Sequence, residues 1–317
     1  MDVAQLIEHA YQRASGGLVS MISGEQLATM RQSLFLILST FTNKGLNLWC
    51  VATDVLPVGV GKIIYYVPQG VIDILNMQLR RGTFTAATTI NATGAVVDFA
   101  AQTRVQGVEV RLPSAGTYSL RLDLSADGVT WFQAGTLAVT VAAATTVAFD
   151  PENQAASRYW RVVELVPSVV FSSCRFVTAA YEIPFSQLSR DDYTNLPDKG
   201  APGIPLQFWY DKQYAAPRMS VWQVAKTDEM QIVLTSQKEV EDVGAMTNIL
   251  AVPARWLAAI ISELSVRTYL VLPKTGRTDV PLAELREIAK SDLRDAEDGE
   301  VDGGPITIGP AIGVYTR

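Results

Sequence analysis

Between about Gly82 and Val177 the chain fills with Thr, Val, Ala and Gly and loses almost all helical periodicity. A stretch of that kind can bury itself only as strands. In Tyr118-Ser119-Leu120-Arg121-Leu122-Asp123-Leu124, apolar and polar residues alternate strictly, which gives a strand one packed face and one wet face. Ser125-Ala126-Asp127-Gly128 then turns the chain, and Leu137, Val139 and Val141 supply the next alternating strand. Several strands at this spacing predict two antiparallel sheets packed face to face.

The flanks read differently. Val3, Leu6, Ile7, Ala10, Tyr11 and Ala14 recur at helical spacing, and Gly16-Gly17 ends that helix. Ser23 and Gln26 form an S-x-x-Q capping box. From there Leu27, Met30, Leu34, Ile37, Leu38 and Phe41 line a second helix that Asn43-Lys44-Gly45 stops. Pro68-Gln69-Gly70 reads as the turn between strands Ile63-Ile64-Tyr65-Tyr66 and Val71-Ile72-Asp73-Ile74-Leu75. A β pattern returns near Phe208 and lasts to Ser236. After Val252, Pro253 opens a helix with Trp256, Leu257, Ile260, Ile261 and Leu264 on one face. A last helix, from about Asp279, carries Leu282, Leu285, Ile288, Ala289 and Leu293 opposite Glu284, Glu287, Lys290 and Arg294.

The expected fold class is α+β: a helical bundle frame with a small antiparallel β element, an inserted antiparallel β-sandwich and an extended C-terminal tail. The expected division is a discontinuous core of residues 1–81 and 178–298, an inserted sandwich at 82–177, and a tail at 299–317.

The 317 residues allow one large domain or two ordinary ones. A 48% hydrophobic content with only 18% charged residues, and a mean hydropathy of +0.16, points to surface that is hidden in partners. The apolar run Leu34 to Leu38 is far shorter than a membrane span, and the N-terminus lacks the basic and apolar regions of a secretory signal. The expected site of synthesis and assembly is a host cytoplasm. Cys50 and Cys174 show no metal-site or disulfide spacing and read as small buried hydrophobes. A net charge of −6 without a basic run argues against gripping nucleic acid.

Catalytic chemistry finds little to use. The only histidine, His9, sits beside the apolar stripe of the first helix, and no GxSxG elbow presents a nucleophile. One imidazole cannot supply a His-ligated metal site, and no phosphate-binding glycine motif is present. Paired carboxylates for glycan hydrolysis would have to come from Asp191-Asp192 or from Asp295, Glu297, Asp298, Glu300 and Asp302, which sit in helix-start or tail contexts. No enzyme activity, cofactor or metal is expected.

In the C-terminal tail, Gly303, Gly304, Gly309 and Gly313 with Pro305 and Pro310 forbid a helix, while Ile306, Ile308, Ile312, Val314 and Tyr315 are too apolar for a freely solvated segment. Two readings stand: a strand that orders on a partner by backbone hydrogen bonding, or a last strand on its own domain.

Residues Ile183-Pro184-Phe185-Ser186-Gln187-Leu188-Ser189-Arg190-Asp191-Asp192-Tyr193 open a distinctive order of elements. They lead through Pro205-Leu206-Gln207-Phe208-Trp209-Tyr210-Asp211 and a strand at Met230 to Ser236, which complete a three-strand aromatic meander. The acidic turn Glu241-Asp242-Val243 follows, and then the helix opening Val252-Pro253-Ala254-Arg255-Trp256-Leu257. This order resembles the head-to-tail adaptor (head completion) proteins of short-tailed bacteriophages, over roughly residues 1–80 and 180–317, with the sandwich as a departure from the smallest members. The resemblance implies a virion neck protein, a twelve-fold ring between the portal and the tail nozzle or tail tube, through whose bore DNA passes without sequence-specific binding. It implies portal docking by Ile306, Ile308, Ile312, Val314, Tyr315 and Arg317, and subunit packing by Trp256, Ile260, Leu264 and Leu285. The sandwich would then contact tail fibres or decorate the neck.

An alternative function is a glycan- or fibre-binding module centred on the sandwich. The segments Leu124 to Trp131 and Arg158-Tyr159-Trp160-Arg161-Val162 look like the strand-turn-Trp pattern of discoidin-like sandwiches, with Trp131 and Trp160 as the candidate contacts.

Overall fold

The computed structural model describes residues 1–16, 22–44, 50–68, 70–91, 94–165, 170–213, 217–239, 244–250, 252–272 and 279–299. Two compact units emerge, one from Met1–Cys50 with Glu239–Arg317 and the other from Val51–Lys238. Strand accounts for 45% of the structure and helix for 27%, so the frame is β and the expectation of a helical bundle frame is overturned.

Helices α1 (Val3–Ser15), α2 (Gly24–Lys44), α4 (Ala254–Val271) and α5 (Leu282–Asp298) belong to the first unit, and the short α3 (Arg190–Thr194) to the second. Asp2 caps α1 through a reciprocal box with Gln5: the Gln5 amide donates to Asp2 Oδ1 at 2.8 Å, and the Asp2 amide to Gln5 Oε1 at 3.1 Å. Gly16 closes the helix at φ 71°, a left-handed conformation that suits glycine. Ser23 and Gln26 make the expected second box. The apolar stripes of α1, α2 and α4 meet in one core, where Phe41 and Trp256 pack with ring centroids 5.4 Å apart.

The second unit begins with β1 (Val51–Pro57), β2 (Ile64–Tyr66), β3 (Val71–Ala86), β4 (Thr89–Asn91), β5 (Gly94–Thr103) and β6 (Val105–Leu112). It continues through β7 (Gly116–Ser125), β8 (Phe132–Val141), β9 (Thr145–Phe149), β10 (Ser157–Glu164) and β11 (Ser173–Pro184). The last strands are β12 (Ser186–Gln187), β13 (Pro202–Gly203), β14 (Gln207–Asp211), β15 (Arg218–Trp222), β16 (Val224–Ala225) and β17 (Met230–Lys238).

A six-stranded sheet, ordered β1-β17-β3-β11-β6-β9, runs through the whole unit. It curls until β1 and β9 lie near each other without pairing, which leaves the sheet nearly closed. Its β6-β9-β11 portion packs on a five-stranded sheet, β4-β5-β10-β7-β8, around Trp160, Phe176, Leu120 and Leu122. Its β3-β17 portion packs on a four-stranded sheet, β12-β14-β15-β2, around Met77, Leu79, Tyr65 and Ile232.

The sandwich exists, but it is not a separate insert. The expected limits at 82 and 177 fall inside β3 and β11, which pair with each other from Arg175–Ala86 to Pro184–Gln78 across those limits. The hairpin expected around Pro68-Gln69-Gly70 does not form, because β2 pairs with β15 while β3 pairs with β17 and β11. The aromatic meander is likewise divided: β14 and β15 pair with each other, and β17 joins the six-stranded sheet. In each case a long-range pairing overrides the local turn chemistry.

Candidate functional site

Three strands that each have one sheet partner among the described residues converge on one groove of the β unit. Thr53–Pro57 of β1, Thr136–Val139 of β8 and Thr146–Asp150 at the end of β9 line it, with Pro68, around a volume of about 550 Å³. Its lining mixes apolar side chains with threonines, and its two charged residues, Asp54 and Asp150, are already paired. Asp54 meets Lys238 at 3.1 Å, and Asp150 takes the Arg80 guanidinium.

That guanidinium anchors a buried polar network. Arg80 Nη1 and Nη2 reach the two Asp150 oxygens at 2.5 and 2.8 Å, and Nε and Nη2 share Glu182 Oε1 at 3.1 and 2.9 Å. Nη1 also donates to the Gln106 carbonyl at 3.0 Å. Burial alone would lower the Arg80 pKa; hydrogen bonds and charge from Asp150, then from Glu182, outweigh it and raise the value. Farther along, Arg175 bridges Glu109 at 2.5 Å and Asp228 at 2.8 Å, and Gln231 donates to Glu109 at 3.3 Å. Glu109 is 1% exposed, and its burial raises its carboxyl pKa against the opposing pull of Arg175. Burial, with the Glu109 charge behind it, also pushes the Cys174 thiol far up, so Cys174 is an inert core residue.

Chemically this is an architecture of strand-to-strand clamps. A general acid or nucleophile needs an approachable atom, whereas Glu109 is enclosed and the carboxylates of Asp150 and Glu182 are held by the same guanidinium. Sequence reading missed the network. The sequence carries no signal for it: Glu109 between Val108 and Val110, and Arg80 after Leu79, fall on the polar side of a period-2 alternation and read as ordinary wet-face charges.

The residues singled out from sequence scatter. Trp160 is fully buried, its indole donating to the Ser157 and Thr103 carbonyls at 3.1 and 3.2 Å, so it offers no face to a sugar. Trp131 is half-buried beneath the Arg161 guanidinium, 4.2 Å from the ring centroid. Arg161 in turn pairs with the buried Asp123 at 2.9 Å. The two tryptophans therefore do not form an exposed platform.

Trp256, Ile260 and Leu264 are used inside the helical unit's own core, and Leu285 packs with Val266 and Ala289. As side chains 0 to 5% exposed, they leave no surface for the expected subunit packing. Ile306, Ile308, Ile312, Val314, Tyr315 and Arg317, with Glu300 and Asp302, lie outside the described residues.

His9 is exposed beside a cavity of about 470 Å³ that Met1, Gln12, Arg13 and Ile261 also line. Near it Arg13 donates to Ser262 Oγ at 2.5 Å, while Ser262 donates to Asp292, which ties α1, α4 and α5 together. Asp192 accepts from Ser189 Oγ at 2.7 Å, and Ser189 caps α3, so Asp191 and Asp192 act at a helix start. Among the described residues no group of three or more His, Cys, Asp or Glu could hold a metal ion, and no helix is long and apolar enough to cross a membrane.

No family model and no curated protein matches the chain. Among solved structures, the C-terminal domain of a chitobiase from Bacteroides fragilis aligns at 16% identity over 27% of this chain, with a TM-score of 0.22. The aligned part spans 62% of that chain, and a likeness this faint carries no argument about fold or function.

Proposed function

We propose that the chain is a structural neck protein of a short-tailed phage virion, an adaptor that forms a ring under the portal and prolongs the DNA channel toward the tail nozzle. The observation that carries this reading is the order of elements around the β unit. Ser189-capped α3 is followed by the aromatic strands β14 and β15, then β17, then α4 after Pro253, and both flanks of the β unit return to one helical unit. The enclosed and mutually neutralised charges of the β unit suit a scaffold better than a catalyst.

In this reading twelve copies surround the bore, the apolar tail docks on the portal, and the sandwich portion faces outward toward fibres. The protein needs no cofactor, and a net charge of −6 per copy discourages DNA from sticking to the wall. Light scattering of the purified chain, alone and mixed with the portal ring from the same genome, tests the proposal. The expected result is a complex with one adaptor per portal subunit. No association at any salt concentration overturns it.

A further inference from the structure

Every sheet of the β unit has to end somewhere, and a free edge is a template for another strand unless something guards it. Most edges here are guarded. In the described structure β4, β2 and β12 contain only three, three and two residues, and β13 and β16 only two each. β1 carries the ion-paired Asp54 and ends at Pro57, and β9 has five residues facing β1 across the groove.

β8 is different. It is the outer strand of the five-stranded sheet and ten residues long, with neither a charge nor a proline in Phe132–Val141. Its first part is covered where the Asn153 amide donates to the Ala134 carbonyl at 2.9 Å. From Thr136 onward no backbone partner lies on that side of β8 among the described residues. Leu137, Val139 and Val141 turn inward and are half-buried, while Thr136, Ala138 and Thr140 are exposed, small and flat.

Charge points to the occupant. Each copy carries −6, so copies repel at long range, and self-contact is favoured at a surface without charge. From Gly128 to Phe149 no charged residue occurs, the longest such stretch in the chain. A partner chosen by opposite charge would find nothing to pair with on this edge, whereas an identical neutral edge meets no like charge.

We infer that β8 is a self-association edge: it pairs antiparallel with β8 of a second copy about a two-fold axis, joining the two five-stranded sheets into one. The Thr136, Ala138 and Thr140 faces of the two copies then lie across from one another as small cross-strand pairs. The incoming strand sits at the mouth of the groove that Thr136–Val139 line. The inference does not depend on the adaptor reading, since portal binding is a separate measurement.

Sedimentation velocity of the full chain over a concentration series tests it, with Thr136→Lys/Ala138→Lys as the variant. Both positions are exposed, and thermal melting followed by circular dichroism checks that the variant keeps its fold. The natural chain should shift from monomer to dimer as concentration rises, and the double variant should associate at least about tenfold more weakly. Hydrogen exchange needs no variant: the amides of Thr136–Val141 should slow as concentration increases. A chain that stays monomeric throughout, a folded variant that associates equally well, or exchange at β8 indifferent to concentration would each overturn the inference.

Discussion

Arg80 on β3 and Asp150 just beyond β9 form a two-pronged ion pair, 2.5 and 2.8 Å long, with the arginine side chain only 7% exposed. The pair spans the curled sheet, linking one of its central strands to an outer one. Arg80→Ala leaves Asp150 and Glu182 facing each other without a cation, and breaking a buried pair from one side costs roughly 3–5 kcal/mol. Because both carboxylates keep partial access to water, the expected loss lies at the lower end, about 3 kcal/mol. Urea denaturation followed by tryptophan emission measures it. A loss too small to detect would show that the network does not hold the sheet.

The two sandwich tryptophans should separate cleanly. Trp160 fills the middle of the core with both carbonyl partners satisfied, so Trp160→Ala opens a large cavity and costs about 3–5 kcal/mol. Trp131 chiefly supports one cation–π contact at a half-buried site, and Trp131→Ala costs about 1 kcal/mol. Guanidinium denaturation midpoints of the two variants give the comparison, and equal losses would contradict the burial described for Trp160.

Asp98 titrates unusually low because Arg158 donates to it through Nε and Nη2, both at 2.8 Å, and the Ala100 amide adds a third hydrogen bond at 2.7 Å. Its pKa is lowered to about 2. A depressed carboxyl pKa stabilises the fold above the ordinary value near ~4, and that contribution fades as pH falls through about 2. Arg158→Ala removes the main cause while leaving the Ala100 amide in place. The Asp98 midpoint, followed by carboxyl carbon NMR, should then move up toward the ordinary range. A midpoint that stays where it was would assign the shift to the backbone instead.

What the sequence made legible was local. The α1 stripe, the Ser23 and Gln26 box and the alternation of Tyr118 to Leu124 depend on neighbours a few residues away, and each appears in the structure. Even there Asp123 stands on the expected wet face and is buried, because Arg161 from β10 and Arg121 cover it. What stayed hidden was set by distant pairing. Gly82 reads as a boundary, yet it lies within β3, where a side chain would collide with the Thr178 carbonyl at 2.7 Å. Of the candidate site residues, Trp160, Trp256 and Leu264 carried the same apolar signal whether they served a partner or a core. Periodicity identifies a buried face but not what buries it.

The tail prediction follows from composition and the adaptor reading together. Removing residues 303–317 takes away the side chains proposed to meet the portal, Ile306, Ile308, Ile312, Val314, Tyr315 and Arg317. Both units keep their cores, since no core residue lies beyond Ala296 among the described residues. The truncated chain should melt like the full one but fail to co-sediment with the portal ring. Retained docking would transfer the portal contact elsewhere on the chain.

Deleting residues 83–175 has the opposite character. If the sandwich were an independent insert, its removal would leave the rest of the chain able to assemble. The structure instead has β3 and β11 passing through both boundaries, and the cut would remove Asp150 and the Gln106 carbonyl from Arg80. It would also uncover Phe176 and Val177, both now fully buried. The remaining β strands would therefore keep a buried guanidinium with one carboxylate left and an exposed apolar face, and the β unit should not fold. The helical unit draws its core from α1, α2, α4 and α5, so the helical far-UV signal should persist while emission from Trp209 and Trp222 shifts toward that of solvated indole. A deletion variant with native emission would restore the independent insert and reduce the shared six-stranded sheet to a dispensable contact.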